Sequence, residues 1–97
     1  MIINKIQNGS SITLSVEGRL DTQTSPELEK VLQEIQNVSE ITLDFKKLDY
    51  ISSAGLRVLL ATHKELSQKG CLTIINSNEA VLDVFEVTGF MDILNIK

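Results

Sequence analysis

LDYISSAGLRVLL, residues 48–60, joins a strand-like run to the longest helical pattern in the chain. The run before it, residues 41–45 (ITLDF), alternates apolar and polar side chains, which is typical of a half-buried strand. Ser53 stands at the junction, where the first N–H groups of a helix lack intrahelical partners and the helix dipole is positive. Serine at such a position can cap the helix, and it can also carry or bind phosphate. The local pattern alone favours capping, because serine is common at helix caps.

Strand and helix patterns alternate on both sides of this stretch. Residues 2–7 and 12–16 are separated by the turn-forming pair Asn8-Gly9, which predicts an N-terminal β-hairpin. The order hairpin, helix, strand, helix, strand, helix and tail predicts an α/β fold, with a mixed sheet of about four to five strands and about three to four helices. The predicted helices cover residues 24–38, 53–68 and 78–87, and the later strands cover residues 41–45, 71–75 and the end of the tail 90–96.

Bulk composition predicts one folded domain, residues 1–97, that is not disordered. Thirteen acidic residues against nine basic ones give a net charge of −4 and leave no basic stripe. A single Tyr and no Trp leave little to stack on bases, so we expect no nucleic-acid partner. No apolar run approaches the roughly 20 residues of a membrane span, and the N-terminus lacks a signal-peptide pattern. Membrane insertion is therefore not expected.

Catalytic and metal-binding chemistry has little support in the residues. Cys71 is the only cysteine, which excludes an internal disulfide and predicts a reducing, cytoplasmic location. We predict that Cys71 is a small core residue in its apolar run. His63 lies within an apolar helical stripe and is a poor base for Ser53. Phosphate-binding glycine loops and metal-ligand spacings are absent from the sequence, so we expect no enzyme, cofactor or metal.

The stretch ISSAGL, residues 51–56, resembles the signature of STAS domains, especially the free-standing anti-sigma factor antagonists of bacteria. That signature is Asp-Ser-Ser/Thr-Gly-Leu, in which the serine two residues before the glycine is phosphorylated. Gly55 places that serine at Ser53, and the family's usual aspartate is replaced by Ser52. The resemblance extends over nearly the whole chain. Further matching segments are EGRLD at residues 17–21 and EVTGF at residues 86–90.

This resemblance implies a protein that works by partner switching. The unphosphorylated form would bind an anti-sigma factor that is also a serine kinase, which frees a sigma factor. Phosphorylation of Ser53 would end the binding, and a serine phosphatase would restore it. Asp21 matches the family's acidic loop residue near the phosphorylated serine, which implies contact with the partner. The other residues implied in partner binding are Ser52, Gly55, Leu56 and Arg57.

Alternatives remain open at this point. The chain could be a STAS subunit of a membrane transport complex, or another protein- or ligand-binding module that works without phosphorylation. A neighbouring gene for a kinase would favour partner switching, and a neighbouring gene for a transporter would favour the transport complex. Asp21 also has a purely structural alternative, since Asp is a favoured loop residue. Gly55 costs about 1 kcal/mol relative to alanine inside a helix, from which we predict close approach of a kinase. The oligomeric state is open between a monomer and a weak dimer.

Overall fold

The computed structural model describes residues 1–97, which form a six-stranded mixed β-sheet and three α-helices. The fold class predicted from the sequence is confirmed, and so are the N-terminal hairpin and the edge strand in the tail. The elements are β1 (Ile2–Asn8), β2 (Ser11–Leu20), α1 (Ser25–Glu34), β3 (Glu40–Asp44), β4 (Leu48–Ile51), α2 (Ser53–Leu66), β5 (Cys71–Ile75), α3 (Glu79–Val87), a 3₁₀ turn (Phe90–Asp92) and β6 (Asn95–Ile96).

The ten-residue strand β2 organises the sheet. Its antiparallel partner is β1, and its other edge pairs with two strands in succession. The first half of β2 is parallel to β3, and residues Gly18–Leu20 are parallel to β4. Beyond β3 follow β5 and then β6, both parallel. The ladder is irregular between Gly18 and Arg19, and Gly18 has a φ of +109° that favours glycine.

Strand β4 is the element that the sequence patterns did not predict, and it raises the strand count to six. It has only four residues, of which Leu48 and Ile51 are buried while the two between them are exposed. That spacing is not the alternation by which a strand is recognised. Backbone bonds fix the strand instead, since the Leu48 N–H donates to Phe45 O over 3.0 Å and the Gly18 N–H donates to Lys47 O over 3.1 Å.

One face of the sheet carries the core. Across the parallel strands, Leu14 lies opposite Leu43 and Leu43 lies opposite Ile74, and all three are fully buried. The intervening residues point to the other face, which is polar and partly exposed. Thr13, Thr42 and Thr73 form one continuous row there. A sheet packed on one side and solvated on the other explains the period-two patterns in the sequence.

Two burial predictions were wrong. Cys71 is exposed, because Leu72 and Ile74 take the inward positions of β5 and leave the first residue on the solvated side. The predicted apolar stripe of α2 consists of Leu56, Leu59, Leu60 and Leu66. The helical spacing predicts that Val58 lies outside this stripe, but Val58 is buried. The reason is that α1 packs against α2, so α2 has a second covered flank in addition to the one on the sheet.

Asn78 fixes the start of α3, as its sequence position predicted. Its side-chain oxygen accepts from the Val81 N–H over 2.8 Å, and its amide donates to Leu48 O over 3.0 Å, which ties α3 to β4. Asn78→Ala should therefore lower the free energy of unfolding by roughly 2–3 kcal/mol, since a cap and a second hydrogen bond are both lost. Urea unfolding would measure this. Asn78→Asp keeps the capping acceptor and should lose less, so an equal loss in both variants would contradict the capping role.

Candidate functional site

The ends of β2 and β4 bring together two predicted site residues that are far apart in the sequence. Leu20 lies opposite Ile51, and the Ser52 N–H donates to Leu20 O over 2.8 Å. Asp21 directly follows Leu20, and Ser53 directly follows Ser52. Both therefore lie at the carboxyl edge of neighbouring parallel strands, where α/β folds gather their binding loops. The last strand predicted before Ser53 is residues 41–45, but the strand that leads into α2 and pairs with the end of β2 is β4.

Ser53 is exposed and occupies the first helical position of α2. The cap position belongs to Ser52, whose side chain makes no capping hydrogen bond, while its carbonyl accepts the first helical bond from the Leu56 N–H. The suggestion that Ser53 is the cap is therefore wrong. The Ser52 hydroxyl is buried without a hydrogen-bond partner. Ser53 therefore presents its hydroxyl to solvent. The Ser52 hydroxyl is buried and is not available for contact with a partner.

Asp21 closes the loop that leads from β2 into α1. Its Oδ1 accepts from the N–H of Gln23 over 3.0 Å and from the N–H of Thr24 over 3.1 Å. The Thr24 bond is the main reason that the pKa of Asp21 lies below its ordinary value, with smaller help from Gln23 and the nearby Arg19 guanidinium, while partial desolvation opposes the shift. The carboxylate thus remains ionised at neutral pH. Asp21 therefore shapes this turn through Oδ1, and its Oδ2 accepts no hydrogen bond from the loop.

The spacing of Thr24 and Glu27 is that of a capping box at the start of α1, but the structure forms none. The Thr24 hydroxyl donates to Arg19 O over 2.6 Å and accepts from the Asp21 N–H over 2.9 Å. No side-chain bond caps α1 at Thr24. The Thr24 hydroxyl instead connects the loop to the end of β2 by these two hydrogen bonds. This connection fixes the direction of the Asp21 side chain.

Arg19 and Tyr50 are surface residues of this edge whose contact no sequence pattern indicates. They lie opposite each other in the β2–β4 ladder, and the Arg19 guanidinium sits 4.6 Å from the centre of the Tyr50 ring. Such cation–π contacts contribute about 0.5–1 kcal/mol at exposed sites. The Arg19 Nε is also 3.8 Å from Asp21 Oδ2. Only the register of an unpredicted strand brings these groups together.

Gly55 and Leu56 are buried, so their predicted contact with a partner is not supported. A Cβ at residue 55 would lie 2.7 Å from Leu20 Cγ and 2.9 Å from Ile51 Cγ1. The absence of a side chain is thus required by packing inside this protein. It explains why a residue unfavourable in helices stands in the first turn of α2, without any approach by a kinase.

The remaining surface groups form what we call the docking rim. Arg57 belongs to it because it is exposed and lies four residues after Ser53, hence on the same side of α2. Two cationic side chains and one carboxylate give the rim a small positive charge, around an exposed aromatic ring and an exposed hydroxyl. The docking rim consists of Arg19, Asp21, Tyr50, Ser53 and Arg57.

Comparisons with known proteins identify the family. The STAS domain family matches residues 2–97, and the chain belongs to that family. It is 30% identical over 93 residues to the anti-sigma-B factor antagonist of Bacillus subtilis, covering 94% of this chain and 85% of that one. Its fold is similar to that of the anti-sigma factor antagonist SpoIIAA in its unphosphorylated form, with a TM-score of 0.83, 20% identity and coverage of 99% and 88% of the two chains.

The Bacillus cell fate determinant SpoIIAA in the phosphorylated form is also similar, with a TM-score of 0.76 and 17% identity over 99% of this chain and 91% of that one. These structural likenesses show a shared fold. Separately, none of the helices is both long enough and apolar enough to cross a membrane.

Proposed function

We propose that this chain is an anti-sigma factor antagonist that acts by partner switching and has no catalytic activity of its own. Its partner would be an anti-sigma factor with serine kinase activity, and a serine phosphatase would reset it. The observation that carries the proposal is the contrast at the start of α2, where Ser53 is exposed and the neighbouring Ser52 hydroxyl is buried. A kinase reaching this helix start meets one accessible hydroxyl. The relatives named as antagonists support the same role.

Docking would use the docking rim as a small, prearranged surface. Arg19 is held over Tyr50, and Asp21 is held by two backbone N–H groups, so little side-chain freedom is lost when a partner binds. Aromatic and arginine side chains are the types that most often dominate interface energetics. Gly55 contributes indirectly, because its missing side chain lets the start of α2 sit against Leu20 and Ile51.

Phosphorylation would switch the interface through charge. A phosphoserine carries about −1.5 to −2 charges at neutral pH, which reverses the sign of the docking rim. The helix itself tolerates the group, since the N–H groups of the first turn and the helix dipole favour an anion there. The free energy of folding should change little, whereas a partner that packs on the uncharged Ser53 hydroxyl would have to desolvate a dianion.

Incubation with the anti-sigma factor kinase of its own cell and ATP tests the proposal. The protein should gain one phosphate, and peptide mass spectrometry should locate it on Ser53. Ser53→Ala should gain none, while Ser52→Ala should still be phosphorylated. Phosphate on Ser52 in the wild-type protein would overturn the assignment to Ser53. Binding of the partner without any phosphate transfer would favour a STAS module that works without phosphorylation.

Asp21→Asn should weaken binding to the partner by about 1–3 kcal/mol and leave the fold intact, because the amide oxygen can still accept the loop N–H bonds while the charge is lost. Isothermal titration calorimetry against the purified anti-sigma factor would measure the affinity. Asp83→Asn is the matched control, since it removes one exposed carboxylate from α3, outside the docking rim. Wild-type affinity in Asp21→Asn would exclude Asp21 from the interface.

A further inference from the structure

The outer edge of β1 is a long strand edge with no partner. In the strand order, β1 lies at one end of the sheet and pairs with β2 alone. Its seven residues pair with β2 without interruption from Ile2 opposite Glu17 to Asn8 opposite Ser11. The backbone groups on the other side of β1 therefore form a regular, unused hydrogen-bonding edge. Such an edge is a template for pairing with another strand.

The usual protections of an edge strand are largely missing here. β1 contains no proline and no bulge, and Lys5 is its only charged residue. On the solvated face of the sheet, Ile2 is 54% exposed and Ile6 is 69% exposed. At the opposite end of the sheet, β6 has only two residues. β4 also pairs with β2 alone, but it has only four residues. β1 is therefore the longest free edge of the sheet and offers the most backbone for pairing with another strand.

The sequence of β1 complements itself when two copies run antiparallel. We place Asn4 of one chain opposite Asn4 of the other. Ile2 of each chain then lies opposite Ile6 of its partner, and Lys5 of each chain lies opposite Ile3. Apolar cross-strand pairs stabilise a sheet, and like charges placed opposite each other destabilise it. Centring the pair one residue later would put Lys5 opposite Lys5. Centring it one residue earlier, on Ile3, would shorten the pairing, place Ile2 opposite Asn4 and leave Ile6 without a counterpart.

We propose that β1 docks a second copy of this chain, antiparallel and centred on Asn4, to give a symmetric homodimer with one continuous sheet. The twofold axis lies normal to the sheet, so the helices of both copies stay on one side. The docking rim takes no part in this contact, because Ser53 and Arg57 lie on α2 and neither is in β1. Ser53→Asp should accordingly leave the dimer unchanged.

Disulfide trapping tests the register. In a Cys71→Ser background, which removes the only native thiol, Asn4→Cys faces its own copy at a distance that a disulfide spans. Mild oxidation should convert most of that variant to a covalent dimer on a non-reducing gel. Asn8→Cys in the same background is the control and should remain monomeric, since its counterpart lies beyond the paired strand. Equal cross-linking of the two variants, or none in Asn4→Cys, would overturn the proposal.

Charged substitutions test the pairing of Ile2 with Ile6 across the two copies of β1 without a covalent cross-link. Ile2→Lys/Ile6→Lys places like charges opposite each other across the two strands, whereas Ile2→Lys/Ile6→Glu places opposite charges there. Both variants lose the same isoleucines. Sedimentation over a concentration series should show the wild-type mass rising from 10.8 kDa toward twice that value, the Lys/Lys variant remaining a monomer and the Lys/Glu variant dimerising. A wild-type chain that stays at the monomer mass, or two variants that behave alike, would refute the self-pairing.

Discussion

Gly55→Val should lower the free energy of unfolding by about 3 kcal/mol, because it forces extra carbons into a filled part of the core. Leu20 and Ile51 are fully buried, and a Cβ would meet the branched Cγ of Leu20 at 2.7 Å and the inner methylene Cγ1 of Ile51 at 2.9 Å, neither of which is the flexible end of its side chain. The melting temperature should fall by roughly 12–24 °C, given the usual relation for a domain of this size.

A graded series distinguishes packing from helix propensity. Gly55→Ala adds one carbon, so its strain should outweigh the roughly 1 kcal/mol that alanine gains in a helix and leave a smaller net loss. Lys64→Val is the control, since it puts the same β-branched residue on an exposed part of α2 and should cost well under 1 kcal/mol. Denaturant unfolding would rank the three variants. A Gly55→Ala protein more stable than the wild type would contradict the packing explanation.

Periodicity predicted most of the fold because most elements have one buried face. Alternation marked β2 and β3, and a helical stripe marked α2, since burial of every second or every third to fourth residue leaves a pattern in the sequence. β4 left none, because a four-residue strand with buried ends and exposed middle residues has no repeat. The same reasoning explains the error at Cys71, where an apolar run was taken to mean burial of all its members.

Some residues of the candidate site could be predicted from the local sequence, and others could not. Ser53 and Asp21 were identified through the resemblance carried by nearby residues. Arg19 and Tyr50 were not, since their contact depends on the register between β2 and β4, which is a long-range property. Gly55 was noticed as unusual in a helix, but its explanation required the positions of Leu20 and Ile51 in space. Local sequence indicates which residue is unusual, and the tertiary contacts supply the reason.

Ser53→Asp should strongly weaken binding to the anti-sigma factor while leaving the melting temperature nearly unchanged. A carboxylate at the first position of a helix is neutral to favourable for stability, by about 0.3–1 kcal/mol. At the interface the same charge has to be desolvated without a matching partner group, which costs roughly 2–5 kcal/mol, or about 30-fold to several thousand-fold in affinity. Stability and binding should therefore respond independently to one substitution.

Ser53→Asn is the matched control, because it has nearly the size of aspartate and lacks the charge. It should bind the anti-sigma factor far more tightly than Ser53→Asp does, and Ser53→Ala should bind close to the wild-type affinity. Calorimetry with each variant gives the affinities, and thermal unfolding gives the stabilities. If the Asn and Asp variants lose affinity equally, the interface is sensitive to size at Ser53 and the charge switch is wrong. If Ser53→Asp instead unfolds many degrees earlier, the Ser53 side chain supports the fold and is not an exposed switch.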